Sequence, residues 1–486
     1  MNYFEHDLES LHQELVSGRL TAEALTRQTL DKIKQDDQQV QAYLALNEEA
    51  LATAKELDQT GIDPDSIWSG IPIAIKDNLV TTELPTTAAS KMLTNFTSVY
   101  EATVVEKLKQ AGAIIIGKTN LDEFAMGSST EKSAFQTTHN PWKLTTAPGG
   151  SSGGSAATVA AGDVLASLGS DTGGSIRQPA AFTGVVGLKP TYGRVSRWGL
   201  IAFGSSFDQV GPLTRSVKDN AYLLNVIAGA DEHDATSSQT EVPDYTAQLE
   251  QGVSGMRIAV SKEYLRSGVQ PEVKQAVQNA IATYQKLGAT VDEVDLPNAK
   301  YGIMAYYVLA SAEASSNLER FDGIRYGFRA ENAQDLDDVY VKTRSEGFGD
   351  EVKRRIMLGT FSLSSGSFDK YYKKAAQIRT MITDDFQRVF EKYDVLMGAT
   401  APTTAFPLNH ESQDPTQMYL NDSFTIPVNL AGLPAMSIPA GFSEGLPIGM
   451  QLVGKPFDEA TLYQAAYAFE QNTDFQQATP QLGGQE

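Results

Sequence analysis

Cysteine is absent from this chain of 486 residues, which excludes disulfides, thiolate metal sites and a thiol nucleophile. Histidine is scarce, with only His6, His12, His139, His233 and His410, and none lies in a glycine-framed turn or on a buried strand. Positive charge is short as well: 39 Lys and Arg stand against 60 Asp and Glu, a net charge of −21. Gripping DNA, RNA or an anionic membrane needs clustered cations, so neither DNA nor membrane is expected as a partner. No apolar run is long enough to span a bilayer. The start, Met1 to Asp7, lacks a basic region followed by an apolar one, so no secretory leader is expected. With the missing cysteines, this fits a cytoplasmic protein. The 41% hydrophobic and 20% charged content is ordinary for a soluble globular chain able to bury a large core.

What is present alternates between helical and strand-like runs. Leu8, Leu11 and Leu15 form one apolar stripe, Thr21 can cap a helix through Lys34, and 47–58 reads as a third helix. Residues 1–65 are therefore expected to be a helical segment, 66–475 the main domain, and 476–486 an unordered tail. Short buried strands are expected at 71–76, 113–116, 164–168, 184–188, 257–260, 290–294, 435–438 and 448–453. Between them 101–110, 156–161, 217–228, 271–287, 301–318, 352–359, 370–393 and 458–471 read as helices. This pattern indicates an α/β fold, a mixed β-sheet sandwiched between helices. Gly112 to Thr119 fits the Walker A spelling, but Ala113 and three isoleucines make a strand where a phosphate loop needs a flexible turn.

The chemistry concentrates in two glycine-rich stretches, Ala147 to Ser155 and Gly169 to Arg177, with Ser151 and Ser175 24 positions apart. Glycine lets the backbone approach a ligand closely and aim consecutive N–H groups at one point, as an anion or a developing oxyanion requires. Flexible linkers would not alternate with apolar runs in this way. A serine hydroxyl needs a base. Gly150 to Gly154 also fits G-x-S-x-G, but that elbow calls for Asp and His downstream, and His233 and His410 sit in polar loops. Lysine can serve if burial keeps it neutral. Lys76 closes the run Ile73-Ala74-Ile75; alone it would read as a solvated strand end, with Asp77 holding its charge on.

Lys76, Ser151 and Ser175, with Gly149 to Ser155, Gly169 to Pro179 and Gly187 to Ser196, resemble the amidase signature family over nearly the whole chain. The resemblance implies that Ser175 is the nucleophile and that Ser151, on a cis peptide, relays its proton to Lys76. The N–H groups of Thr172, Gly173, Gly174 and Ser175 would form the oxyanion hole. Asp122 to Gly127, Asp208 to Pro212, Glu351 to Gly359 and Tyr419 to Asp422 are similar to the branch that serves bacterial tRNA-dependent amidotransferases as glutaminase subunit. That branch implies glutamine as substrate, held by Tyr306, Arg355 and Asp422, with Arg suited to the α-carboxylate and Asp to the α-ammonium. It also implies a heterotrimer with two further subunits. ATP, Mg2+ and misacylated glutamyl-tRNA(Gln), and in some members aspartyl-tRNA(Asn), would be handled by a partner subunit, with no cofactor or metal in this chain. The rival readings are a stand-alone amidase, which the zwitterion grip of Arg355 and Asp422 disfavours, and a non-catalytic scaffold, which an intact Lys-Ser-Ser set disfavours.

Overall fold

The structure, a computed structural model, describes residues 3–265, 268–409 and 420–482. His410 and Tyr419, both singled out above, lie outside these residues, as do the last four of the chain. The front of the chain is helical: α1 (Leu8–Val16), α2 (Ala22–Val40) and α3 (Ala50–Thr60). Asp7 and Thr21 cap α1 and α2 by accepting N–H groups of their first turns. Helix α2 runs past Lys34 to Val40 and ends at Gln41, whose φ of 54° turns the chain into β1 (Tyr43–Leu46). That strand was not expected from the sequence.

The main body adds β2 (Pro72–Lys76), α4 (Thr103–Gln110), β3 (Ile114–Thr119), α5 (Gly153–Ala160), β4 (Ala166–Asp171), α6 (Arg177–Thr183), β5 (Val186–Lys189) and β6 (Gln209–Thr214). Next come α7 (Val217–Ile227), β7 (Arg257–Ser261), α8 (Pro271–Lys286), β8 (Thr290–Val294), α9 (Gly302–Asn317), α10 (Leu336–Gly347), α11 (Asp350–Leu363) and α12 (Tyr372–Phe390). The chain finishes with β9 (Val395–Ala399), α13 (Ile426–Leu430), β10 (Ala435–Ser443), β11 (Leu446–Val453) and α14 (Glu459–Glu470). Of the tail expected to be unordered, Gln476 lies in a short helical turn, its carbonyl accepting Arg215 (2.7 Å), and Leu482 packs on the core.

All eleven strands of the described residues join one mixed sheet in the order β1-β3-β2-β4-β6-β5-β10-β11-β9-β7-β8. Parallel pairs (β3-β2-β4 and β9-β7-β8) mark the strand–helix–strand parts, and antiparallel pairs fill the centre. The Walker-like stretch is indeed a strand. Lys118 is buried and pairs with Asp77 at 2.9 Å, so it holds no phosphate.

Two helices of the outer layer matter for the site. Helices α9 and α11 pack so closely that a Cβ at Gly359 would lie 1.9 Å from the Ser311 carbonyl oxygen. Only glycine permits this approach, and it sets Tyr306 and Arg355 on adjacent helices. Gly359→Ala should therefore push α11 outward and cost about 1–3 kcal/mol. A lowered urea midpoint with an unchanged slope would match this; wild-type stability would show that the two helices can separate freely.

Candidate active site

The site lies where β2 and β4 end side by side. Lys76, the last residue of β2, is fully buried. Its amine donates to the hydroxyls of Ser151 (2.8 Å), Ser152 (2.8 Å) and Ser170 (2.9 Å). Asn78 donates to the same Ser170 hydroxyl at 2.9 Å and steadies it. Burial drives the Lys76 amine down to about 7, against the upward pull of Asp122, Asp171 and Asp208. Asp77 does not contribute to that pull, because its carboxylate turns to Lys118 and to Thr87.

The loop ahead of α5 reaches this amine because it carries glycines where side chains cannot fit. A Cβ at Gly150 would lie 2.2 Å from Asp122 Oδ2, and one at Gly154 2.5 Å from the Asn120 carbonyl oxygen. The Gly150–Ser151 peptide is cis. Asp122 organises the facing loop by accepting the N–H groups of Thr130 (2.9 Å) and Lys132 (3.1 Å). Ser175 sits beside these groups, 8% exposed, its carbonyl accepting the Ser152 N–H at 3.1 Å. Among the described residues its hydroxyl makes no hydrogen bond. The structure thus brings Lys76 and Ser151 into contact and sets Ser175 next to them, with no direct bond between the two serine hydroxyls.

The turn carrying Ser175 is fixed from below by Asp171. Its carboxylate accepts the Gly174 N–H (2.8 Å), the Ile176 N–H (3.2 Å), the Asn429 amide (2.8 Å) and the Arg177 guanidinium (3.0 Å). Burial alone would raise this carboxyl; Arg177, with Lys189 and Asn429, outweighs it and holds it at about 2. Gly174 has a φ of +142°, and its N–H donates to Asp171. Thr172 is held through its hydroxyl by Asp208 (2.6 Å).

Of the three residues expected to grip substrate, Tyr306 and Asp422 reach this turn, and Arg355 lies within electrostatic reach of both. A Cβ on Gly173 would lie 2.8 Å from the Tyr306 hydroxyl, and one on Gly174 3.3 Å from Asp422 Oδ1. Tyr306, on α9, meets Phe207 edge-on at 5.6 Å. Arg355 is buried on α11, its guanidinium 4.3 Å from the Tyr307 ring centre and its Nε donating to Glu351 at 2.6 Å. Asp422 Oδ2 accepts the Ser128 hydroxyl (2.5 Å), whereas Oδ1 is buried without a hydrogen-bond partner among the described residues. Burial pushes the Asp422 carboxyl up to about 8, helped by Asp171 and opposed by Ser128 and Arg355. A buried oxygen without a donor is costly unless a ligand supplies one.

The sequence reading missed Ser152, Ser170 and Asn78 around the lysine, and Ser128 beneath Asp422. Ser152 could have been found as the second serine of the same glycine run. Nothing in the sequence ties Ser128 to a residue 294 positions away. Of the described histidines, His233 pairs with Asp231 (3.1 Å), and His12 and His139 bond to backbone oxygens of Asp63 and Leu144. Among the described residues no group of three His, Asp or Glu could hold a metal ion, and no helix is long and apolar enough to cross a membrane.

The amidase family model matches residues 24–463. The A-subunit of the glutamyl-tRNA(Gln) amidotransferase of Ligilactobacillus salivarius is 63% identical, and that of Levilactobacillus brevis 64%, each alignment covering all of both chains. Among solved structures, the corresponding A-subunit of the Thermotoga maritima glutamyl-tRNA(Gln) amidotransferase superposes with a TM-score of 0.84 at 43% identity, covering 100% of this chain and 99% of that one. The peptide amidase of Stenotrophomonas maltophilia gives a TM-score of 0.85 at 30% identity, covering 99% of each chain.

The depressed Lys76 amine has a measurable consequence for stability. Between the folded value of about 7 and the ordinary 10.5, the unfolded chain binds a proton here that the folded one does not. Stability from this group therefore rises with pH across that window, by up to about 1.4 kcal/mol per unit. Wild type minus Lys76→Met, followed by urea unfolding at several pH values, should show this slope. A flat difference would mean the amine stays charged in the folded protein.

Proposed function

Since the chain belongs to the amidase family, we propose that Lys76, Ser151 and Ser175 hydrolyse the side-chain amide of free glutamine. The chain is thereby the glutaminase subunit of a cytoplasmic glutamyl-tRNA(Gln) amidotransferase. The relatives that carry this name align along its whole length at above 60% identity. The observation that supports the chemistry most directly is the Lys76 amine, fully buried and 2.8 Å from the Ser151 hydroxyl. The amide substrate then seats its α-ammonium on the unpartnered oxygen of Asp422 and its α-carboxylate toward Arg355, with Tyr306 along its side. The side-chain amide is left facing Ser175.

Neutral Lys76 takes the Ser151 proton as Ser151 takes that of Ser175, and the freed Ser175 oxygen attacks the amide carbon. The two serine hydroxyls draw into hydrogen-bond reach once substrate is seated, since such contacts are loose in an empty site. Negative charge on the former carbonyl oxygen meets the N–H groups of Thr172, Gly173 and Ser175. Gly174, its N–H on Asp171, serves by shaping the turn. The relayed proton passes to the leaving nitrogen, ammonia departs, and a γ-glutamyl ester remains on Ser175. Water, deprotonated along the same relay, cleaves the ester to glutamate. The ammonia would then pass to a partner subunit of the heterotrimer, the place where ATP and Mg2+ would supply activation of glutamyl-tRNA(Gln).

Ser175→Ala should abolish glutamine hydrolysis, with turnover down on the order of 10⁴-fold. In the complete complex the variant should still use added ammonium, because amidation occurs elsewhere. Glutamine-dependent turnover by pure Ser175→Ala protein would sink the assignment. Lys76→Arg should be nearly as damaging as Lys76→Ala, since a guanidinium cannot accept the proton.

The clamp predicts a second pH dependence. With Asp422 near 8, its carboxyl is neutral in the empty site at lower pH, and the α-ammonium pairs only with the ionised form. The KM for glutamine should therefore fall as pH rises toward 8, by up to about tenfold per unit. Asp422→Asn should remove this trend and cost about ten- to a hundredfold in kcat/KM, as for loss of a charge-assisted hydrogen bond. Equal losses for glutamine and for its des-amino analogue would make Asp422 structural.

A further inference from the structure

One buried side chain outside the reacting set joins the two halves of the site. Gln178, on the first turn of α6 and three residues after Ser175, is completely buried. Its Oε1 accepts the N–H of Gly150, the residue before Ser151, at 2.9 Å. Its Nε2 donates to the carbonyl of Ser128 at 3.0 Å. Ser128 in turn donates its hydroxyl to Asp422 Oδ2. A single amide thus spans from the peptide holding Ser151 to the residue that orients Asp422.

The surroundings are built to this bridge. A Cβ at Gly149, whose φ is +84°, would lie 2.4 Å from Gln178 Oε1, so the loop passes directly over the amide. The backbone N–H of Gln178 donates to the Gly174 carbonyl (2.8 Å), which ties the amide to the Ser175 turn. An amide accepts at one end and donates at the other, as the Gly150 N–H and Ser128 C=O require. A carboxylate could satisfy only the first, and an apolar side chain neither.

The geometry points to Gln178 as a positioning residue that sets the distance between the Ser151 relay and the Asp422 clamp. It thereby matches the site to an amide four carbons from an α-ammonium. This rests on the glutaminase reading for its substrate, though its Ser151 arm does not depend on glutamine. Two consequences separate it from a packing role. Loss of the Gly150 arm acts on the chemical step for any amide, whereas loss of the Ser128 arm acts only on substrates that use the clamp.

The test is steady-state hydrolysis of glutamine and of its des-amino analogue, with rates divided by the number of sites titrated to completion by a sulfonyl fluoride. Gln178→Met, close in size, should lower kcat about tenfold or more for both substrates, in the range that small misplacement of reacting groups produces. It should raise KM several-fold for glutamine and leave that of the analogue near wild type. Adding Ser128→Ala should raise the glutamine KM less in Gln178→Met than in wild type, because the two lie on one path. Unchanged kcat per titrated site, equal KM changes for both substrates, or additive KM effects would each overturn the inference. If Gln178→Met yields no folded protein, Gln178→Glu is measured above neutral pH. Ionised, it keeps the Gly150 arm, so kcat should stay within a few-fold of wild type while the glutamine KM rises; the reverse pattern overturns the inference. Wild-type protein inactive on glutamine but active on another primary amide would fail the glutaminase reading instead. The Ser151 arm is then judged on that amide, by whether kcat falls in Gln178→Met.

Discussion

The arrangement depends on one demand: an amine must be stripped of water and still have partners. A lysine buried among apolar groups would be expelled or would distort the sheet end. At Lys76 three serine hydroxyls take the place of solvent, and hydroxyls can accept from the ammonium or donate to the free amine without reorganising. Two of these hydroxyls come from the loop before α5 and one from β4. Holding them at one point requires the glycines that let that loop lie against Asp122 and the Asn120 backbone. The chain's glycine-rich composition at this place is thus a consequence of solvating one nitrogen.

Charge is distributed to the same end. Asp77, adjacent in sequence to Lys76, would keep the amine protonated if it faced it, and it is instead neutralised by Lys118 on the neighbouring strand. Asp171 faces the reacting turn but is matched by Arg177. Asp422, by contrast, is left with an oxygen lacking a donor among the described residues at the mouth of that turn. Asp77 and Asp171 are matched by cations, whereas the open oxygen of Asp422 marks a place for one.

Much of this was legible in the sequence, and the misses have distinct causes. Lys76, Ser151 and Ser175 stand in glycine-framed or strand-end contexts whose local pattern carries the information. Tyr306, Arg355 and Asp422 have no such frame; family resemblance alone singled them out, and their convergence is tertiary. Strand β6 escaped notice because Gly211 and Pro212 break a strand pattern, yet a Cβ at 211 would lie 2.1 Å from the Leu188 carbonyl oxygen, so the close pairing with β5 selects glycine there. Strands β1 and β9 were missed as well: β1 lies within the part expected to be helical, and β9 holds Gly398 directly after the long α12. Ser128 and Gln178 are invisible for another reason: their work is done through single hydrogen bonds between distant segments.

The strand order has an implication for how the chain comes into being. Strands β1 to β6 form one side of the sheet and β7 to β9 the other, and the hairpin of β10 and β11 stitches them together. Gln451 on β11, with Thr425 and Asn429, also holds the Arg177 side chain. During synthesis on the ribosome, the edge of β5 and the underside of the Ser175 turn therefore stay open until nearly the whole polypeptide has emerged. A nascent chain in that state exposes an unpaired strand edge, the kind of surface that chaperones shield. Its Ser175 turn is also unfinished, so the hydrolysis proposed for that turn cannot begin before β10 and β11 have joined the sheet.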